Sequence, residues 1–168
     1  MDKIIHYTSL ENLEKIKSTD FLLPKSDPNI KSLELSERIQ NIVQHNSYLV
    51  GIPQPLEEGW VEYGLMDYLL KHTSGEVVLG VPLFGNANSF VRDHSFLSPK
   101  NFIDQYGEDL AKKVYSGKIG PKDPRIINSV NLYLESTISL EDYGGNYIVP
   151  EIWTPQKTPV DNLEIVVS

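Results

Sequence analysis

Residues 4–13 read Ile4-Ile5-His6-Tyr7-Thr8-Ser9-Leu10-Glu11-Asn12-Leu13, and the change of pattern inside this stretch sets the first two elements of the fold. An apolar, β-branched run closing on His6 and Tyr7 has the composition of a strand. Thr8 followed by Glu11 fits a capping box, and Leu10, Leu13 and Ile16 recur at helical spacing. A short amphipathic helix is therefore expected over 8–18, stopping near Asp20 and before Pro24. A polar imidazole that ends a strand directly ahead of a capped helix is held on a rigid framework. It is either an ordinary hydrogen-bonded residue or a side chain presented to a site.

Working outward, six segments rich in β-branched or aromatic residues read as strands: 3–7, 47–52, 76–83, 89–92, 147–154 and 162–167. Helical patterns lie between them. Leu33, Leu35, Ile39, Ile42 and Val43 suggest a second helix, and Trp60, Tyr63, Leu65, Tyr68 and Leu69 a third over 59–72, entered through Pro53, Pro55 and Gly59. A fourth is expected over 100–116, capped by Ser98 with Pro99 in its first turn, and ended by Gly117 and Gly120. Asp123-Pro124 begins a fifth, carrying Ile126, Ile127, Val130 and Leu134. Gly144-Gly145 marks a turn before the last strands. Pro150 and Pro155 flank a β segment, which suits an edge or kinked strand. Strands and helices do not alternate evenly, so the reading is α+β, not a regular parallel array.

With 168 residues, 40% of them hydrophobic, the chain is expected to form one domain over 1–168. No repeat or heptad run is visible. The absence of cysteine excludes disulfides, thiol nucleophiles and cysteine-held zinc. No stretch of about 18 apolar residues and no secretory leader is seen, so a soluble protein is expected, with no membrane partner, acting in the cytoplasm of the producing or a target cell. A formal charge of −8 disfavours non-specific nucleic-acid binding. Lys112, Lys113, Lys118 and Lys122 form a loose basic cluster, read as a solvated face.

Two groups of residues could carry chemistry. In the first, His6 stands with Glu151, set in Val149-Pro150-Glu151-Ile152-Trp153. This carboxylate either points to solvent from an edge strand or sits in a partly dry pocket. The second is Arg92-Asp93-His94, which could bind phosphate or form an acid/base pair. In extended chain, Arg92 and His94 face one way and Asp93 the other, so a direct Asp93–His94 pair requires a turn. A surface loop with local ion pairing is the alternative. His6, His45, His72 and His94 show no metal-ligand spacing, so no metal site is expected. Trp60, Tyr63 and Tyr68 at helical spacing read as core.

Ile5-His6-Tyr7-Thr8-Ser9 with Phe21-Leu22-Leu23-Pro24, and Glu151-Ile152-Trp153-Thr154-Pro155 with Leu163-Glu164-Ile165-Val166, together resemble the two ends of compact ADP-ribosyltransferase domains. The resemblance covers roughly 35 to 45 residues and implies two small packed sheets forming a cleft, with peripheral helices. It also implies NAD as substrate and transfer of ADP-ribose to a protein, nucleic-acid or nucleotide acceptor, as in a bacterial or phage toxin, effector or defence protein. Carried over, His6 would orient NAD, with Tyr7 and Thr8 beside it. Tyr48 would pack on nicotinamide, and Glu151 would be the catalytic carboxylate. Arg92 or His94 would contact the diphosphate or the acceptor. The chain departs from the family in placing Tyr48-Leu49-Val50-Gly51-Ile52 after a long helical insertion. Two alternatives stand beside it: a catalytically inactive nucleotide- or partner-binding module of the same fold, and a hydrolase or nuclease using Arg92, Asp93 and His94.

Overall fold

The computed structural model describes residues 2–23, 48–67, 76–85 and 88–167. Its centre is a seven-stranded, wholly antiparallel sheet built from β1 (Lys3–Thr8), β3 (Leu49–Pro53), β4 (Val77–Pro82), β5 (Phe90–Asp93), β6 (Ile138–Ser139), β7 (Pro150–Thr154) and β9 (Glu164–Val167), in the order β6-β5-β7-β3-β1-β4-β9. A second, two-stranded sheet pairs β2 (Phe21–Leu22) with β8 (Thr158–Pro159). The protein is thus mixed α and β as expected, with one large antiparallel sheet and a small second one where two small packed sheets were expected.

The large sheet is nevertheless seamed. β3 pairs with β7 over Leu49, Val50 and Gly51, whereas its pairing with β1 is confined to Ile4 with Pro53 and Ile5 with Ile52. Beyond Ile5 the ladder between β1 and β3 stops, and the His6 ring reaches across to the Val50 carbonyl at 2.9 Å. A side chain thereby satisfies a backbone acceptor that a strand partner would otherwise take.

Helix α1 (Leu10–Thr19) follows β1 as its apolar spacing requires, with Leu13 buried against the sheet. Ser9, not Thr8, is the N-cap: its hydroxyl accepts from the Asn12 amide, while Thr8 still belongs to the strand. Asp20 closes the helix in the left-handed region. The expected third helix begins as the single turn α2 (Gly59–Glu62). Its remainder beyond Asp67, including Tyr68 and Leu69, lies outside the described residues, as does the expected helix around Leu33–Val43.

The expected helix over 100–116 is two helices, α3 (Pro99–Tyr106) and α4 (Glu108–Tyr115), broken at Gly107 with φ 85°. Ser98 caps α3 with Pro99 in its first turn. Asp123 caps α5 (Pro124–Glu135) by accepting from the Arg125 amide. Phe102, Ala111, Val114, Ile126, Val130 and Tyr133 from these three helices pack with Trp153 on one face of the sheet. Ile4, Leu13, Leu79, Val91 and Ile152 form the core on the other. Among the described residues, no helix is long and apolar enough to cross a membrane.

β7 is not an edge strand. It lies between β5 and β3, and all five of its residues are buried. The prolines permit this because Pro150 is the first residue of the strand and Pro155 follows the last, so neither interrupts the ladder.

Candidate active site

Register decides which side chains meet. Residues directly opposite on paired strands share a face, and neighbours along a strand alternate. Glu151 is opposite Arg92, and Ile152 is opposite both Val91 and Gly51. Ile5 is opposite Ile52, and His6 opposite Leu79. One face therefore carries Glu151, Trp153, Arg92, Phe90, Val50, Ile52, Ile5 and Tyr7, and the other carries Ile152, Val91, Ile4, His6 and Thr8.

His6 and Glu151, expected to open into one cleft and act on one NAD molecule, are on opposite faces of the sheet with β3 between them. Burial holds the pKa of His6 below the usual imidazole value, against an opposing contribution from the Val50 carbonyl. Thr8 is buried on the His6 face. Tyr7 stands on the Glu151 face beside Ile52, Trp60 and Val149, and burial raises its phenol pKa. Tyr48 packs edge-on against Phe90 and Trp153, with ring centres 5.0 and 6.3 Å away. It too belongs to the Glu151 side.

Glu151 does not point to solvent: it is 5% exposed. One carboxylate oxygen accepts from the Tyr133 hydroxyl at 3.2 Å, and the other is bound to Nδ1 of His94. The two expected groups of residues thus exchange members, Glu151 from the first joining His94 from the second. The link is a turn. β5 ends at Asp93 and residues His94–Leu97 form a 3₁₀ turn, which swings the imidazole over the start of β7.

Asp93 takes no part in a dyad. Its carboxylate accepts from the amides of Ser95, Ile148 and Val149 at 3.0, 3.3 and 3.1 Å, and the His94 amide donates to the Val149 carbonyl at 2.8 Å. Asp93 is a brace between the turn and the strand entry.

His94 is fixed on three sides. Beyond Glu151, the Trp60 ring lies 6.1 Å from it at an interplanar angle of 31°, and the Tyr133 ring meets it edge-on at 5.7 Å. Trp60 is itself tied to the strand by its indole N–H, which donates to the Pro150 carbonyl at 3.0 Å. Its side chain 27% exposed, His94 is where this group of residues opens to solvent, with Glu151 behind it.

Arg92 lies beneath, 5% exposed, with its Nε donating to the Thr137 hydroxyl at 2.9 Å. The rings of Phe90, Trp153 and Tyr133 surround its Cζ at 4.6, 4.9 and 5.4 Å. So enclosed, it is not a surface contact for a diphosphate. Burial drives the Tyr133 phenol well above its usual value, with Glu151 raising it further and Arg92 opposing. The hydroxyl therefore keeps its proton and gives it to the carboxylate as a hydrogen bond.

Tyr133 and Trp60 were hidden by their helical spacing, which reads as core. A phenol and an indole on buried helix faces each need a polar partner, and that requirement is the signal that marks them. Among the described residues, no group of three or more His, Asp and Glu side chains stands ready to hold a metal.

No family model, curated relative or solved structure matches this chain. The functional reading therefore rests on the residues themselves.

Proposed function

We propose that the protein is an NAD-dependent ADP-ribosyltransferase in which Glu151 is the catalytic carboxylate and His94 its partner. The observation that carries this is the buried Glu151 carboxylate, fixed by Tyr133 and His94 at the start of a central strand and walled by aromatic rings. When the bond between ribose C1′ and the nicotinamide nitrogen breaks, the electron pair leaves with nicotinamide and positive charge develops on the ribose. A preorganised carboxylate in a dry site stabilises that charge more than it stabilises bound NAD. The acceptor then bonds to C1′ and its proton passes to His94. Tyr7 and Tyr48, on the Glu151 side of the sheet, are the aromatic contacts for the dinucleotide. His6, on the far face, keeps a structural role at the seam.

Millimolar NAD is expected to raise the melting temperature, since a ligand that binds the folded state alone stabilises it by about 2.7 kcal/mol at a hundredfold excess over Kd. Nicotinamide release is expected from the wild type and lost in Glu151→Gln. Wild-type protein with neither a thermal shift nor release sinks the proposal, and binding without release identifies an inactive nucleotide-binding module.

A second reading has its own support. An imidazole bonded to a buried carboxylate through Nδ1 is the arrangement of a general base that activates water. Under a hydrolase reading His94 carries the reaction and NAD is not needed. Hydrolysis of a phosphodiester or ester panel that is lost in His94→Gln, with no response to NAD, would select it.

A further inference from the structure

Pro150 opens β7 without an amide hydrogen, so it donates nothing to β5 although the register sets it opposite Asp93. The two amides just before it, those of Ile148 and Val149, then need acceptors of another kind. The buried Asp93 carboxylate supplies both, at 3.3 and 3.1 Å, and closes a local turn by also accepting from the Ser95 amide at 3.0 Å. The main-chain amide of Asp93 in turn donates to the Ser136 hydroxyl at 2.9 Å, at the end of α5.

Three chain segments are thus bonded to this one residue, and each carries one member of the site. The turn after β5 carries His94, the entry to β7 leads to Glu151, and the last turn of α5 carries Tyr133. Further bonds close the triangle. The His94 amide donates to the Val149 carbonyl at 2.8 Å, and the Tyr147 hydroxyl donates to the Ser136 carbonyl.

We infer that Asp93 is a positioning residue that sets the geometry of Tyr133, Glu151 and His94 by locking these three segments together, and that it moves no proton itself. This rests on the assignment of Glu151 and His94 as the reacting pair in the proposal above. Misplacing reacting groups by about 1 Å costs about a hundredfold in turnover. Asparagine separates the two roles. Its carbonyl oxygen keeps the Ser95 and Val149 amides, which share one oxygen of Asp93, and loses only the longer bond from Ile148. It cannot act as an acid or a base. Alanine loses all three bonds.

The placement of the His94 ring is read from its ¹H–¹³C NMR signals at about pH 8, where free imidazole is neutral. They are assigned by their loss in His94→Gln. In the wild type the Trp60 and Tyr133 rings, 6.1 and 5.7 Å away, should displace these signals from the free-histidine position. Asp93→Asn is expected to keep them, and Asp93→Ala, with a cooperative urea transition showing that it is folded, to move them toward the free position. In NAD turnover, Asp93→Ala should lose about a hundredfold in kcat with KM little changed, and Asp93→Asn far less. Wild-type signals in a folded Asp93→Ala overturn the inference, and so do signals at the free position in the wild type or in Asp93→Asn. Asp93→Asn with wild-type signals but turnover as low as that of Asp93→Ala makes Asp93 a proton carrier and overturns it as well. If Asp93→Ala does not fold, Asp93→Ser carries the same expectation, since its hydroxyl can hold the Ser95 amide but is too short for the strand entry. A wild type without NAD turnover removes the transferase reading, and the His94 signals then decide the inference alone.

Discussion

Gly59→Ala sets two rules against each other. By helix propensity alone, alanine in place of glycine in a helical turn stabilises by about 0.8–1 kcal/mol. Here the new Cβ would lie 1.9 Å from the Ile148 carbonyl oxygen and 2.8 Å from its carbon. Both clashing atoms are backbone, so no side chain can rotate away. The first turn of α2 must separate from the 148–150 segment, with an overpacking cost of about 1–3 kcal/mol. Separation also strains the hydrogen bond from Trp60 to the Pro150 carbonyl, worth about 1 kcal/mol. The net expectation is destabilisation by about 2 kcal/mol. In urea, with a slope of about 2 kcal/mol/M, the midpoint should fall by about 1 M with the slope unchanged. Gly120→Ala is the control, since its added Cβ meets nothing within 4 Å, and it should change stability by less than about 0.5 kcal/mol. Because Trp60 rests on His94, tryptophan emission should shift in the Gly59 variant alone. A Gly59→Ala protein as stable as the wild type would refute the close approach of these two backbones.

Tyr133→Phe keeps the ring but removes the donor to a buried carboxylate, and should lower stability by about 2 kcal/mol in urea unfolding. For His6, burial holds the folded pKa below the unfolded value near 6.5, so the unfolded chain binds more protons as the pH falls. Stability from keeping this ring neutral is complete above about pH 6.5 and declines below it, and the loss between pH 7.5 and 5.5 should be smaller in His6→Asn. Asp123 is lowered to about 2 by the Arg125 side chain and amide, so its contribution is full above the usual carboxylate value and fades as pH falls toward 2. At neutral pH, Asp123→Ala should cost about 1 kcal/mol through the lost cap, and Asp123→Asn much less, as measured by thermal unfolding.

Local patterns were legible in the sequence, and long-range pairing was not. Each of the six expected strands matches an observed one to within a few residues, because alternating β-branched runs between turn residues encode strands locally. The short strands at Phe21, Ile138 and Thr158 left no such run. Gly107 falls inside the helix expected over 100–116, yet its positive φ ends one helix and starts another. Pro150 argued for an edge only because its place as first residue of the strand was not visible. Glu151 and His94 were each singled out, but their contact depends on β7 entering between β5 and β3, a register that no local spacing carries. The same register separates His6 from Glu151.

The central position of β7 has a consequence for the order of events at the ribosome. Among the described residues, β5 and β6 are joined to the remaining strands of the large sheet through β7 alone. Until residues 150–154 have emerged, β5 has among the described residues no strand partner but the two residues of β6, and Trp60, His94 and Tyr133 lack the Glu151 carboxylate that they surround. This group of residues is therefore absent from any chain that stops short of Glu151. Completing the sheet and gathering Trp60, His94 and Tyr133 around Glu151 are one event, so the proposed activity would be a direct readout of completed folding in this region.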